Sequence, residues 1–303
     1  MNENYDDVLF AADESEHEDS TPTTEFDPEV YRERKQQERD AVYTMIDDAA
    51  LSLAAPEKLK EYLDIQSRFD LYRPGNVLLI QAQMPMAARL KTYEEWKRMG
   101  AGIRRGEHPI SIMKSGKQFA RDDGSIGQFT DIKKVFDISQ TFSAPKTNAP
   151  TYPEGRSLIK VLMSKIPVPA KAHDNLPEGV GAYYDNAAKV VYVRPGMDAP
   201  DIFRCMSVEL AHAEFARSQG NEYRRDNSEF AAYCASYVLC REYGVDVSGF
   251  NFDNAPAQFE GREPKDIRAD LADIREAAGE IGGRMKQAVQ QERSPKEQED
   301  VAR

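Results

Sequence analysis

Cysteine is scarce in this chain: three residues in 303, Cys205, Cys234 and Cys240, with no Cys-x-x-Cys pair among them. An odd number so spaced excludes a disulfide framework and the paired-cysteine zinc motifs, and reads as reduced thiols of a cytoplasmic protein. Histidine is nearly as rare. His17, His108 and His173 stand without a motif around them, which leaves His212. No run of about 18 apolar residues occurs, so no membrane-spanning helix is expected and no membrane partner. The first ten residues are acidic and polar, so no secretory signal is expected. No internal repeat is found.

The chain does hold enough apolar residues for a core, 40% against 30% charged, in a length that suits about two domains of ~150 residues. Its net charge of −12 is unevenly spread. Residues 1–40 carry 14 acidic and 4 basic side chains, whereas residues 58–146 carry 16 basic and 10 acidic ones. A basic block inside an acidic protein points to a polyanionic partner. The acidic tail either solubilises the chain or folds back over the basic surface as a nucleic-acid mimic.

Patterning gives an α+β fold in five segments. Residues 1–28 are acidic and poor in large apolar groups, as a disordered tail is. Residues 29–142 form a first α+β domain. It has helical spacing from Pro28 to Leu71, a break at Pro74-Gly75, a helix over 76–83 and a short helix over 93–99. A hairpin follows, formed by strands 109–113 and 133–138, with the polar loop 121–125 between them. Residues 143–153, with three prolines, are the linker. Residues 154–260 form a second, mostly helical domain with a small sheet. Its elements are a helix over 157–165, a turn at Asp185-Asn186, a strand over 189–193 and two longer helices. The first long helix, over 200–218, is capped by Asp198 or Asp201. The second, ending at Tyr243, is capped by Asn227 or Ser228. Residues 261–303 are a charged helical tail.

The first long helix carries Val208-Glu209-Leu210-Ala211-His212. A zinc metallopeptidase needs His-Glu-x-x-His, because two histidines four apart on one helical face bind one metal while the glutamate polarises the bound water. Here Glu209 matches the base and His212 the second ligand, but Val208 coordinates nothing. Cys205 shares the face of Glu209 and His212 and is the only substitute ligand nearby. Two ligands make a poor metal site. No cofactor is therefore expected, with zinc as the alternative if the site works.

Several separated motifs, in order, resemble the ArdC-type antirestriction proteins and their LtrC-like relatives. They are Phe69-Asp70-Leu71-Tyr72-Arg73-Pro74-Gly75-Asn76-Val77-Leu78-Leu79-Ile80; Tyr93-Glu94-Glu95-Trp96; Ile103-Arg104-Arg105-Gly106-Glu107; and Val135-Phe136-Asp137-Ile138-Ser139-Gln140-Thr141. The resemblance covers about residues 40–255. It implies an N-terminal domain that binds single-stranded DNA, followed by a zincin-like domain with a degenerate metal motif. It also implies an acidic ligand on the helix after His212, a position matched by Glu229. What it implies for function is DNA protection or antirestriction on a mobile element, with a catalytically inactive second domain. The alternatives are an active zinc peptidase with a non-standard ligand set, and a regulator that binds a host defence protein.

Binding of unpaired strands needs a cationic groove and aromatic faces on which bases stack. The candidate cations are Arg89, Lys91, Lys97, Arg98, Arg104, Arg105, Lys114 and Lys117. The candidate platforms are Tyr72, Tyr93, Trp96 and Phe119, with Asn76 as a further polar contact. Each has a structural alternative: Trp96 as a core anchor, Asn76 as an internal hydrogen-bonding group, Glu229 as the cap of its own helix.

Overall fold

The computed structural model describes residues 27–120, 126–144 and 151–301, with side chains in all of these except 115–120, 126–130 and 292–301. The expected tail, the hairpin loop 121–125 and most of the linker lie outside the described residues. The chain divides into two units at Ala41. In the first unit, the start of α1 (Pro28–Ser52) is set by Asp27, whose carboxylate accepts from the Glu29 N–H at 2.8 Å. There the helix is laced by exposed i,i+3 and i,i+4 pairs, Lys35 with Glu38 and Gln36 with Asp40.

The second unit begins at Val42 and has one continuous hydrophobic core that runs to Ala288. The single helical stretch expected up to Leu71 is two helices. Pro56 opens α2 (Pro56–Arg68) at its first position, where the missing N–H costs nothing, and α1 stops at Ser52 before it. Pro74 opens α3 (Pro74–Gln83) in the same way. β1 (Leu90–Lys91), α4 (Tyr93–Arg98), β2 (Gly102–Ile103), β3 (Ile110–Ala120), β4 (Ile126–Asp137) and β5 (Thr141–Phe142) follow. β4 lies between β1 and β3, antiparallel to both, with Ile110 opposite Val135; β2 pairs with β5.

Helix α3 seals one edge of this sheet with two amides. Asn76 donates to the Met113 carbonyl at 2.9 Å and accepts from its N–H at 2.7 Å. One strand pleat away, Gln83 does the same to Ser111, at 2.9 and 2.8 Å. Asn76 and Gln83 sit seven apart on one face of α3 and reach Met113 and Ser111, alternate residues whose backbone groups point to the same edge of the sheet. The amides occupy backbone groups that a neighbouring strand would otherwise take.

Past residue 151 come α5 (Gly155–Leu162), β6 (Ala170–Ala172), β7 (Ala182–Asp185), β8 (Val190–Val193), α6 (Ala199–Gln219), α7 (Arg225–Glu242), α8 (Ala255–Phe259) and α9 (Pro264–Val301). β8 is central, antiparallel to β7 and parallel to β6. β6 was not expected, since Ala-Lys-Ala has neither β-branching nor apolar alternation. Asp198 caps α6 by accepting from the Asp201 N–H at 2.8 Å. α7 starts at Arg225, two residues before the expected cap, and Arg224 offers no side-chain acceptor. α7 packs on α6, α2 and α9, so helices from both sides of residues 143–153 share the core.

Candidate functional site

His212 meets Glu229, and Arg225 links Glu229 to Glu209. Both oxygens of Glu209 are taken by Arg225, Nη1 to Oε2 at 2.9 Å and Nη2 to Oε1 at 2.8 Å. A third donor, the Tyr184 N–H on β7, reaches Oε2 at 2.7 Å. Glu209 is buried, and this shell supplies the donors that a buried carboxylate requires. Arg225 Nε lies 3.5 Å from Glu229, one helical turn on, and the guanidinium sits over the Tyr183 ring at 4.8 Å. The bidentate bond to Glu209 holds Arg225 firmly in its charged form.

His212 has no exposed surface. Its Nε2 lies 3.1 Å from Glu229 and its Nδ1 lies 3.0 Å from the Tyr223 hydroxyl, so both ring nitrogens have partners. The hydrogen bond from His212 holds the Glu229 carboxyl below the usual range, against the opposing effect of burial. Burial raises the Tyr223 hydroxyl to about 12, so it is a neutral donor or acceptor at physiological pH. Glu229 lies inside the first turns of α7, with 57% of its side chain exposed, and pairs with these side chains as well as lying near the dipole.

Cys205 does not join them. Its sulfur lies against Gly181, where an added Cβ would approach to 2.5 Å, and burial pushes its thiol pKa up, away from the thiolate a metal needs. Gly181 is therefore required by close packing of β7's lead-in on α6. Among the described residues, no three His, Cys, Asp or Glu side chains gather as a metal-binding group.

In the other half, the structure removes Trp96 from the candidate platforms. Its ring is fully buried and its Nε1 donates to the Phe136 carbonyl at 2.9 Å. Arg89 lies over that ring at 5.1 Å, with its Nε and Nη2 buried and unpaired. Asn76 is committed to Met113, as above. Tyr72 is half-buried, edge-on to Phe69 at 5.4 Å. Arg104 is also committed: it pairs with Glu107 at 3.2 Å and donates to the carbonyls of Ser139 and Thr141. Arg105, next to it, is exposed and has no partner among the described residues. The same holds for Lys97, Arg98 and Lys114, while Lys91 is half-buried on β1. Tyr93 is 51% exposed. The side chains of Lys117 and Phe119 lie outside the described residues.

Two groups escaped the sequence reading. Phe142, 57% exposed, lies across Gly102, where any Cβ would strike its ring. It stands one residue past the last motif. Arg225 was the more consequential omission; its signal was the i,i+4 spacing to Glu229, a cation one turn before a carboxylate on one helical face.

Residues 32–143 match the family model for the N-terminal domain of anti-restriction factor ArdC. A Bacillus anthracis protein, pXO2-81, is 22% identical over 278 residues, covering 74% of this chain and 46% of the relative; the chain thus spans about half that relative's length. The fold is similar to the crystal structure of the antirestriction ArdC protein from plasmid R388. The metal-free form matches with a TM-score of 0.50 and 18% identity over 71% of this chain and 86% of that one. The Mn(II)-bound form matches with a TM-score of 0.50 and 16% identity over 72% and 84%. A metal held by that relative poses the question of fit here, and the residues present do not fit one. Val208 has no donor atom, both Glu209 oxygens are bound to a guanidinium, and that same cation lies against Glu229.

Proposed function

From the premise of an ArdC-type N-terminal domain over residues 32–143, we propose that this chain binds single-stranded DNA in an antirestriction or DNA-protection role. In this reading its second half serves as scaffold rather than peptidase. The observation that carries the first half is a set of cations left unused by the fold. Lys97, Arg98, Arg105 and Lys114 face solvent without an acidic partner among the described residues, in a chain whose net charge is −12. Side chains kept free of internal partners can neutralise phosphates. Tyr93 and Phe142 add exposed rings that a base can stack on. No helix of the described residues is long and apolar enough to cross a membrane.

The test is fluorescence anisotropy of the full chain with a labelled oligonucleotide. Binding should favour single strand over duplex and weaken steeply with salt. Replacing Lys97, Arg98 and Arg105 together by alanine should weaken it at least tenfold. Equal affinity for duplex, or indifference to the triple substitution, would remove the proposal. In the second half, the peptidase reading meets a base, Glu209, whose oxygens already hold three donors. A general base must present its carboxylate to a water, whereas both Glu209 oxygens face one guanidinium.

A further inference from the structure

We infer that Arg225 is a built-in cation that takes over the charge of a metal and closes the Glu209–His212–Glu229 cluster to divalent ions. The inference deepens the non-peptidase half of the reading above and rests on it.

Three carboxylate oxygens converge on this guanidinium: both of Glu209, at 2.8 and 2.9 Å, and one of Glu229 at 3.5 Å. A buried carboxylate without a counter-charge is costly, so a pocket that retains Glu209 must retain a cation. In a metal site the ion provides it. Here a side chain on α7 does, and because it is covalently attached it cannot be chelated or diluted away. The remaining positions agree with that exchange. Val208 places a donor-free side chain where the helical motif would put a ligand. Glu229 directs one oxygen to His212 Nε2 at 3.1 Å, so both bond to each other rather than pointing jointly at empty space. Tyr223 occupies the other ring nitrogen. Tyr183 covers the guanidinium from the sheet side, at a distance that favours a cation. The buried charge of Glu209 is therefore cancelled from within the chain, and two changes rather than one separate the pocket from a metal site. A histidine must return at 208, and Arg225 must leave.

The experiment is calorimetric titration of the full chain with Zn(II) and, separately, Mn(II), using the wild type, Val208→His, Arg225→Ala and the double variant. Each is prepared with a chelator and then desalted. The wild type and both single variants should take up no stoichiometric metal. The double variant should bind one ion per chain, at least 100-fold tighter than either single variant, and its melting temperature should rise with the ion. Uptake by Val208→His alone, as tight as in the double variant, would overturn the inference, because Arg225 would then be no barrier. So would one ion per wild-type chain that disappears with His212→Ala. Removing Arg225 leaves Glu209 buried and unpaired, and that variant can fail to fold. The triple variant Val208→His/Glu209→Gln/Arg225→Ala removes the stranded charge while keeping residues 208, 212 and 229 as ligands. If it folds by circular dichroism yet binds no ion, the inference fails. Chelator-sensitive peptidase activity of the wild type would instead defeat the scaffold reading.

Discussion

The Tyr237 hydroxyl donates to Asp64 at 2.8 Å, and Arg241, one turn further along α7, closes on the same carboxylate oxygen at 2.8 Å. Asp64 belongs to α2 and its partners to α7, so it is held by a tyrosine 173 positions later in the chain. Burial and the Asp64 carboxylate push the Tyr237 pKa far above its usual value, keeping it a donor at any working pH. Asp64→Ala should cost about 1–3 kcal/mol, the price of a buried hydroxyl left without its charged acceptor. Tyr237→Phe should cost less, and in a urea-unfolding cycle the two should be non-additive. Additivity within ~0.5 kcal/mol would mean that the two side chains do not couple.

Asp137 is a buried carboxyl whose titration should contribute to acid unfolding. Burial raises its carboxyl, but the donors around it outweigh burial and hold it below the usual aspartate range: the Ser139 side chain, then the N–H groups of Arg89, Ser139 and Ala88. A carboxyl depressed in the folded state contributes stability that is fully present above its unfolded pKa, ~3.9, and is lost as pH falls through its lower folded value. Asp137→Asn should therefore be destabilised by about 1–3 kcal/mol at pH 7 and should flatten the acid limb of a melting-temperature profile below the unfolded aspartate pKa of ~3.9. An unchanged acid limb would show that another carboxylate governs it.

How much of this was legible beforehand differs by residue. The helical character of residues 28–71 and 76–83 followed from periodicity, which acts locally. The break at Pro56 and the opening of a helix at Pro74 did not, because a proline ends one helix or starts another according to what flanks it. The pairing of strands around 110 and 135 followed from alternation, as Ile110 opposite Val135 bears out. Partner choice was not local. Asn76 looked like a motif residue, yet only the packing of α3 against the edge of β3 explains its two backbone bonds. Glu209, His212 and Glu229 could be nominated from the altered zinc motif and from family resemblance, but Arg225 could not. Its role appears only when α7 lies against α6 and β7. Arg104 and Arg105, adjacent in sequence and alike in chemistry, separate only once Thr141 of β5 and Ser139 just before it are seen to supply carbonyls to one of them.

That separation gives a paired test. Arg104→Ala removes an ion pair and two bonds to backbone carbonyls and should lower stability by about 1–3 kcal/mol. Arg105→Ala should leave stability within ~0.5 kcal/mol, as for an exposed side chain without partners. In DNA binding the order should reverse. If Arg105 neutralises one phosphate, its loss should reduce the salt slope for a single strand by about 0.7. Equal stabilities for the two variants would contradict the bonding given to Arg104, and an unchanged salt slope would take Arg105 out of the interface.

The aromatic residues divide in the same way. Trp96 is buried, hydrogen-bonded to Phe136 and covered by Arg89, so Trp96→Ala should cost about 3–5 kcal/mol as a large core deletion. Any weakening of DNA binding in that variant should track unfolding. Tyr93 and Phe142 are exposed, and alanine at either should leave the melting temperature nearly unchanged. At each position that stacks on a base, affinity should fall by about 1–3 kcal/mol. Phe142 adds one condition. The far end of its ring lies against Gly102, so Gly102→Ala should displace the ring without removing it. Binding weakened by Gly102→Ala and by Phe142→Ala to a similar degree, with Phe142→Tyr near wild type, would show that ring placement matters. A Phe142→Ala variant that binds as the wild type does would leave Tyr93 as the exposed platform of this half.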